Sequence, residues 1–94
     1  MYNYTLSTNA EKDLIRIFDF GIKTFGLTQA INYYNELNDQ IKLITKNPYL
    51  YPKSFHYLNV ERYCVCGSDT IYYNINEFEN TVEIITIIGR QNYP

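Results

Sequence analysis

Tryptophan is absent from this 94-residue chain, and histidine and cysteine are scarce, with one His and two Cys. Cys64 and Cys66 lie too close together, and are too few, for the disulfide framework of a small secreted protein. Even with His56, the sole imidazole, they fall short of the roughly four ligands of a structural zinc site. We therefore expect two small unpaired thiols in a strand, no metal site and no cofactor.

Long apolar runs, a basic leader and glycine-rich loops are also missing. No stretch approaches the ~18 apolar residues that cross a bilayer, so we expect no membrane partner. The sequence starts with neither a basic region nor an apolar run, and we expect a cytoplasmic protein without a signal peptide. The four glycines are scattered at positions 21, 26, 67 and 89, which argues against a phosphate-binding loop.

Positive charge is in short supply. Eight Lys and Arg face ten Asp and Glu, which gives a formal net charge of −2 at pH 7. Residues 47–94 hold only three cations, Lys53, Arg62 and Arg90, against five acids, so this half accounts for all the net negative charge. Because each phosphate contact needs a cation, the balance argues against direct nucleic-acid binding.

Tyrosine is abundant, supplying eleven side chains beside five phenylalanines. Its ring is apolar, its hydroxyl forms hydrogen bonds, and it loses little entropy on contact, which suits a binding surface. We expect three tyrosines to complete the core with their hydroxyls at its rim: Tyr4, Tyr34 and Tyr73. Three others, which share one loop region, could either complete the core or bind a partner: Tyr49, Tyr51 and Tyr57.

The composition is that of one globular domain spanning residues 1–94, with 46% hydrophobic and 19% charged residues. Residues 2–6 alternate apolar and polar side chains and predict a short strand. Ser7 and Thr8 then offer hydroxyls for a helix N-cap. Thr8 and Glu11 have the spacing of a capping box in which Thr8 is the N-cap.

Apolar residues at three- and four-residue intervals predict two successive helices. Gly26 suits the C-terminus of the first helix, because that position favours a left-handed residue. Thr28 is the predicted N-cap of the second helix, and Asn47-Pro48 ends it. The link is so short that the helices must form an antiparallel hairpin.

Three strand-like runs follow a loop at residues 47–56, over residues 57–66, 70–75 and 81–88. The last run is almost continuously apolar and predicts a strand inside the sheet. We therefore expect an α+β fold in which the helical hairpin packs on a largely antiparallel four-stranded sheet.

Two arginines are the strongest candidates for binding an anionic group. Arg62 opens the second predicted strand and Arg90 closes the last, and each could bind a phosphate or carboxylate through two hydrogen bonds. Alternatively, each pairs with a nearby acid such as Glu61 or Glu83. His56 could act as a lone general base or be an ordinary loop residue.

Several short motifs succeed one another along nearly the whole chain. They are Tyr4-Thr5-Leu6-Ser7, Ala10-x-x-Asp13-Leu14, Phe25-Gly26-x-x-Gln29-Ala30, Asn47-Pro48, Arg62, Val65-x-Gly67, Ile71-Tyr72-Tyr73 and Ile87-Ile88-Gly89-Arg90-Gln91-Asn92. In this order they resemble the RelE/ParE superfamily, the toxins of bacterial type II toxin–antitoxin modules. The Phe-Gly-x-x-Gln-Ala link and the Gly-Arg-Gln ending are closer to the ParE branch. Ser68-Asp69 departs from the family, whose corresponding turn is commonly basic.

Resemblance to the ParE branch implies a cytoplasmic toxin that poisons DNA gyrase through protein–protein contact and performs no covalent chemistry. It also implies a cognate antitoxin that neutralises the toxin, in a toxin–antitoxin hetero-oligomer. The residues that we expect to contact the target or the antitoxin are Arg62, Arg90, Tyr49, Tyr51, Tyr57 and Tyr93.

The RelE branch implies a different activity, ribosome-dependent cleavage of mRNA. Its catalytic residues would here be Arg62, Arg90, His56 and Tyr93. A nuclease must stabilise a highly charged phosphate in the transition state, which calls for surplus cations. The deficit of cations in residues 47–94 therefore favours the ParE branch. An inactive relative that only binds antitoxin is a third alternative.

Overall fold

The structure, a computed structural model, describes residues 1–55 and 59–89. Its elements are β1 (Asn3–Leu6), α1 (Thr8–Phe25), α2 (Leu27–Lys46), β2 (Arg62–Cys66), β3 (Asp69–Asn76) and β4 (Thr81–Gly89). This is the predicted α+β order. Among the helices of the described ranges, none has the length and apolar character needed to cross a membrane.

The first helix begins one residue earlier than the capping box predicted. Ser7, not Thr8, is the N-cap, and its Oγ accepts a hydrogen bond from the Ala10 backbone N–H at 3.0 Å. The same hydroxyl donates to the carbonyl of Ile85 in β4 at 2.5 Å. The second bond explains the difference, because it ties the start of α1 to the sheet.

Gly26 alone separates the two helices. Its φ of 93° is in the region that favours glycine, and its N–H donates to the Ile22 carbonyl and closes α1. The prediction that Thr28 caps α2 was wrong, since α2 starts at Leu27 and its N-cap, Gly26, has no side chain. The helices then pack so closely that a Cβ on Gly21 would lie 3.2 Å from Ala30 Cβ.

The four strands lie in the order β1-β4-β3-β2. The pairs β2–β3 and β3–β4 are antiparallel, as predicted, whereas β1 pairs with β4 in parallel and makes the sheet mixed. The prediction that the last strand lies inside the sheet is confirmed. A register shift at Tyr72/Tyr73 leaves Ile85 without an opposite residue, which frees its carbonyl for Ser7.

The core lies between the helical hairpin and one face of the sheet. Its completely buried side chains include Leu37, Ile41, Ile71, Tyr73 and Ile84. Tyr73 reaches through this layer, and its hydroxyl donates to the Pro48 carbonyl at 2.6 Å.

Two of the predicted core tyrosines are exposed. Tyr73 confirms the prediction, but Tyr4 and Tyr34 lie at the surface.

The strand predicted over residues 57–66 is shorter in the structure, because β2 starts at Arg62 and Asn59 adopts a positive φ of 65°.

Candidate functional site

The open edge of β4 is covered by two side chains of α1. β1 pairs with β4 only as far as Ile84, and beyond that point Asp13 Oδ2 accepts hydrogen bonds from Ile87 N at 2.9 Å and Thr86 Oγ1 at 2.7 Å. Arg16 Nη2 donates to the Ile87 carbonyl at 3.2 Å and lies 3.6 Å from Asp13 Oδ1. These contacts occupy backbone groups that could otherwise pair with an added strand.

A cavity of about 430 Å³, here called the Asp69 cavity, lies between the helices and the β2–β3 turn. It is lined by Arg16, Ile17, Phe20, Gly21, Phe25, Gln29, Ala30, Tyr33, Ser68 and Asp69. Phe20 and Phe25 expose much of their rings here. The cavity therefore offers apolar walls with a buried carboxylate at one end.

Tyr33 fixes the β2–β3 turn beside this cavity. Its hydroxyl lies 2.5 Å from Asp69 Oδ2 and accepts a hydrogen bond from Ser68 N at 3.2 Å. Burial, together with the hydrogen bond to Asp69, raises the pKa of Tyr33 to about 12. Gly67 has a φ of 60°, and a Cβ there would lie only 2.6 Å from Tyr33 Cε1. Asp69 is thus committed to an internal hydrogen bond.

A second groove, of about 570 Å³ and here called the outer groove, runs along the exposed side of both helices. It is lined by Leu6, Glu11, Leu14, Ile15, Phe18, Ile31 and Tyr34. Ile15 is 63% exposed and Ile31 43% exposed. Phe18 and Tyr34 meet edge to face, with ring centroids 5.8 Å apart. The groove is apolar except for Glu11.

The structure brings three of the predicted site residues together: Arg62, Tyr49 and Tyr51. Arg62 Nη1 donates to the Tyr51 carbonyl at 2.6 Å and to the Tyr49 carbonyl at 3.3 Å. The guanidinium also lies 5.1 Å from the centroid of the Tyr49 ring. For Arg62 the alternative of an ion pair with Glu61 or Glu83 was wrong, because the backbone carbonyls of the loop bind its guanidinium instead.

The two tyrosines of this cluster differ in exposure. Tyr51 packs against the core, and its hydroxyl accepts a hydrogen bond from Gln40 Nε2 at 3.2 Å. Tyr49 is exposed. The other predicted site residues, His56, Tyr57, Arg90 and Tyr93, lie outside the described residues.

Glu77 forms hydrogen bonds that the sequence did not reveal. Glu77 lies in the turn between β3 and β4, and its Oε1 accepts a hydrogen bond from the Tyr2 hydroxyl. Hydrogen bonds from Tyr2 and Tyr49 lower the pKa of Glu77. The bond to Glu77 raises the pKa of Tyr2 to about 12. Tyr2 and Glu77 are 75 positions apart, so no local pattern could show this contact.

The cysteines remain thiols. Cys64 is buried and Cys66 half-buried, and both are free. Burial raises the pKa of Cys64 to about 11 and also raises the pKa of Cys66. Within residues 1–55 and 59–89, no cluster of His, Cys, Asp or Glu is suited to a metal ion.

Solved structures of toxin–antitoxin systems share this fold. A chain of the chromosomal ParDE system from P. aeruginosa superposes with a TM-score of 0.81 at 15% identity, covering 95% of this chain and 96% of the other. A chain of the RelBE2 complex from Mycobacterium tuberculosis gives 0.62 at 16% identity, covering 95% and 98%. A chain of the RelE–RelB complex from Pyrococcus horikoshii OT3 gives 0.64 at 11% identity, covering 98% of each chain. The fold is therefore that of the RelE/ParE superfamily.

The sequence comparisons specify the branch. The family model described as the ParE toxin of the type II toxin–antitoxin system parDE matches residues 4–93. Toxin ParE1 of Caulobacter vibrioides is 30% identical over 88 residues, which cover 94% of this chain and 88% of that protein. The chain belongs to the ParE toxin family of type II toxin–antitoxin systems.

Proposed function

We propose that this toxin inhibits DNA gyrase in the cytoplasm by protein–protein contact and that a cognate antitoxin neutralises it in a hetero-oligomer. The observation that carries the proposal is the unpaired apolar surface of the helical hairpin, in a chain of the ParE family. Because monomeric proteins seldom expose large apolar patches, such a surface indicates a protein partner.

The outer groove and the Asp69 cavity are the surfaces that fit the antitoxin best. Each is lined mainly by apolar side chains, which suits the apolar face of an amphipathic segment. Burying one large aliphatic or aromatic side chain contributes about 1.5–3 kcal/mol. A few such side chains, set into grooves that need little rearrangement, would hold the two proteins together.

Protein contact also fits the charges of the chain better than nuclease chemistry. Residues 47–94 hold three cations against five acids. Of those cations, Arg62 is bound to the carbonyls of Tyr49 and Tyr51. Asp69 stands where the family commonly has a basic turn, and it is bound to Tyr33. We retain Arg62, Arg90, Tyr49, Tyr51, Tyr57 and Tyr93 as proposed contacts of the target or the antitoxin.

Inducing the toxin in bacteria, alone and together with its cognate antitoxin, tests the proposal. We expect growth arrest with cleaved chromosomal DNA, and rescue when the antitoxin is co-expressed. If translated mRNA were cleaved while the chromosomal DNA stayed intact, the proposal of gyrase inhibition would be replaced by that of a ribosome-dependent nuclease. Tight antitoxin binding without growth arrest would identify an inactive relative.

A further inference from the structure

The turn between β3 and β4 carries a phenylalanine that takes no part in folding the turn. Phe78 is 99% exposed. The turn is built by its neighbours: Glu79 N donates to Asn76 Oδ1 at 3.0 Å, and Thr81 Oγ1 donates to the Glu79 carbonyl at 3.0 Å. Asn80 supplies the positive φ of 54°. A polar residue at position 78 would serve this turn equally well, so the aromatic ring needs another explanation.

The turn is held against the start of the chain. Asn3 N donates to the Asn80 carbonyl at 3.0 Å, and Asn80 Nδ2 donates to the Met1 carbonyl at 3.3 Å. Glu77 accepts a hydrogen bond from Tyr2, whose own N–H donates to the Thr45 carbonyl at 3.1 Å. Phe78 therefore projects from a braced turn, and little conformational freedom would be lost when a partner binds it.

The surface around Phe78 combines exposed apolar side chains with acidic ones. We call it the hairpin tip and define it by Met1, Tyr2, Tyr49, Glu77, Phe78 and Glu79. Met1 and Tyr49 are exposed beside the turn. Glu77 and Glu79 precede and follow Phe78 in the turn, and hydrogen bonds from two tyrosines favour the charged form of Glu77 by lowering its pKa. Arg62 is a nearby cation, and its guanidinium lies against the Tyr49 ring.

The hairpin tip lies at the opposite end of the sheet from the Asp69 cavity. β3 starts at Asp69, paired with Gly89, and ends at Asn76, paired with Thr81. At about 3.3 Å per residue, the strand separates the two by roughly 23 Å. A partner segment seated in the cavity would leave the tip accessible.

We propose that the hairpin tip binds the toxin's cellular target, and that the target presents an apolar pocket rimmed by Lys or Arg side chains. An aromatic ring at the centre of a contact, with charges at its rim, is the arrangement that gives a protein interface its affinity and its choice of partner. The inference rests on the proposed function, because it requires the chain to act on a target. It adds which surface of the toxin contacts that target, and the antitoxin is still expected to bind the two helices.

Three variants of the full-length toxin test this inference. Phe78→Ala removes the exposed ring, and Glu79→Lys reverses one flanking charge. Phe55→Ala is the matched control, because it removes another strongly exposed phenylalanine from the loop that precedes β2. For each variant, viable counts after induction without antitoxin, affinity for the cognate antitoxin, and the melting temperature are measured.

We expect Phe78→Ala and Glu79→Lys to weaken killing at least tenfold while antitoxin affinity and melting temperature stay at wild-type values. Phe55→Ala should kill as the wild type does. Full killing by Phe78→Ala would overturn the inference and leave the proposed function standing. Parallel loss of killing and antitoxin binding would also overturn it, by assigning the tip to the antitoxin. A wild-type toxin that arrests no growth would overturn both proposals.

Discussion

Asp13 accepts a hydrogen bond from the backbone N–H of Ile87, with 2.9 Å between Oδ2 and N. Arg16, one turn further along α1, binds the carbonyl of the same residue. The backbone N–H and the carbonyl of one β4 residue are thus both satisfied by side chains of one helix, at the point where β1 no longer covers the strand. In the segment Ala10-x-x-Asp13-Leu14, the two apolar residues are buried in the core and the acid binds the edge of β4.

Replacing Asp13 should therefore destabilise the fold. Asp13→Ala removes the acceptor for Ile87 N and Thr86 Oγ1, and we expect the free energy of unfolding to fall by about 2 kcal/mol. Urea denaturation measures the change. Asp19→Ala, at an exposed position of the same helix, is the matched control. A loss below about 0.5 kcal/mol, the range of an ordinary surface substitution, would contradict this role of Asp13.

The outer groove can be tested without disturbing the core. Ile15→Asp and Ile31→Asp each place a charge in the apolar floor, where antitoxin binding would have to bury it, and we expect at least a tenfold weaker affinity. Leu43→Asp is the control, because Leu43 is similarly exposed on α2 but lines neither groove. Isothermal titration with the purified antitoxin gives the affinities. If Ile15→Asp and Ile31→Asp bound the antitoxin as tightly as Leu43→Asp and the wild type do, the antitoxin would bind outside the outer groove.

Arg62 stabilises the loop that contains Tyr49 and Tyr51, whichever partner it meets. Arg62→Ala removes two hydrogen bonds to carbonyls and the contact with the Tyr49 ring, and we expect a loss of about 1–2 kcal/mol in the free energy of unfolding. Thermal denaturation of the variant beside Lys53→Ala measures it. An unchanged melting temperature would contradict this structural role, and a loss of toxicity at unchanged melting temperature and antitoxin affinity would leave Arg62 as a contact residue alone.

The link between Glu77 and Tyr2 makes stability depend on pH at both ends of the scale. The pKa of Glu77 is lowered below its ordinary value of 4.5, so its contribution is present above pH 4.5 and is lost as the pH falls through the lower, folded value. The pKa of Tyr2 is raised from 10.0 to about 12, so its contribution is present below pH 10.0 and is lost as the pH rises towards 12.

Glu77→Gln removes this dependence on the acid side. We expect the variant's stability to fall less than that of the wild type as the pH is lowered below 4.5, the ordinary pKa from which Glu77 is shifted down. Glu79→Gln is the control, because the Glu79 carboxylate makes no hydrogen bond to any residue of the described ranges. Equal acid slopes for Glu77→Gln and the wild type would contradict the assignment.

Local patterns predicted the elements of this fold well, because helical and strand periodicity leave a direct trace in the sequence. The helix boundary at Gly26 and the interior position of β4 follow from one glycine and one apolar run. The choice between Ser7 and Thr8 as N-cap could not be predicted, since both carry hydroxyls and the contact that decides between them is with Ile85.

Local sequence patterns could not predict the contacts between residues that are distant in the sequence. The partners of Arg62 are carbonyls, which every residue carries, so charge pairing suggested Glu61 and Glu83 instead. The bond between Tyr2 and Glu77 spans 75 positions and depends on the parallel pairing of β1 with β4. Tyr4 and Tyr34 have the spacing of core residues, yet they lie at the margins of the sheet and the hairpin, where coverage ends.

The central claim is that this ParE-family toxin inhibits gyrase by direct contact. Supercoiling of relaxed plasmid by purified gyrase, with increasing amounts of the purified toxin, tests it most directly. We predict that supercoiling is blocked or that cleaved plasmid accumulates as toxin is added, and that equimolar antitoxin restores supercoiling. Undiminished supercoiling at a large molar excess of a toxin that arrests growth in cells would contradict the claim.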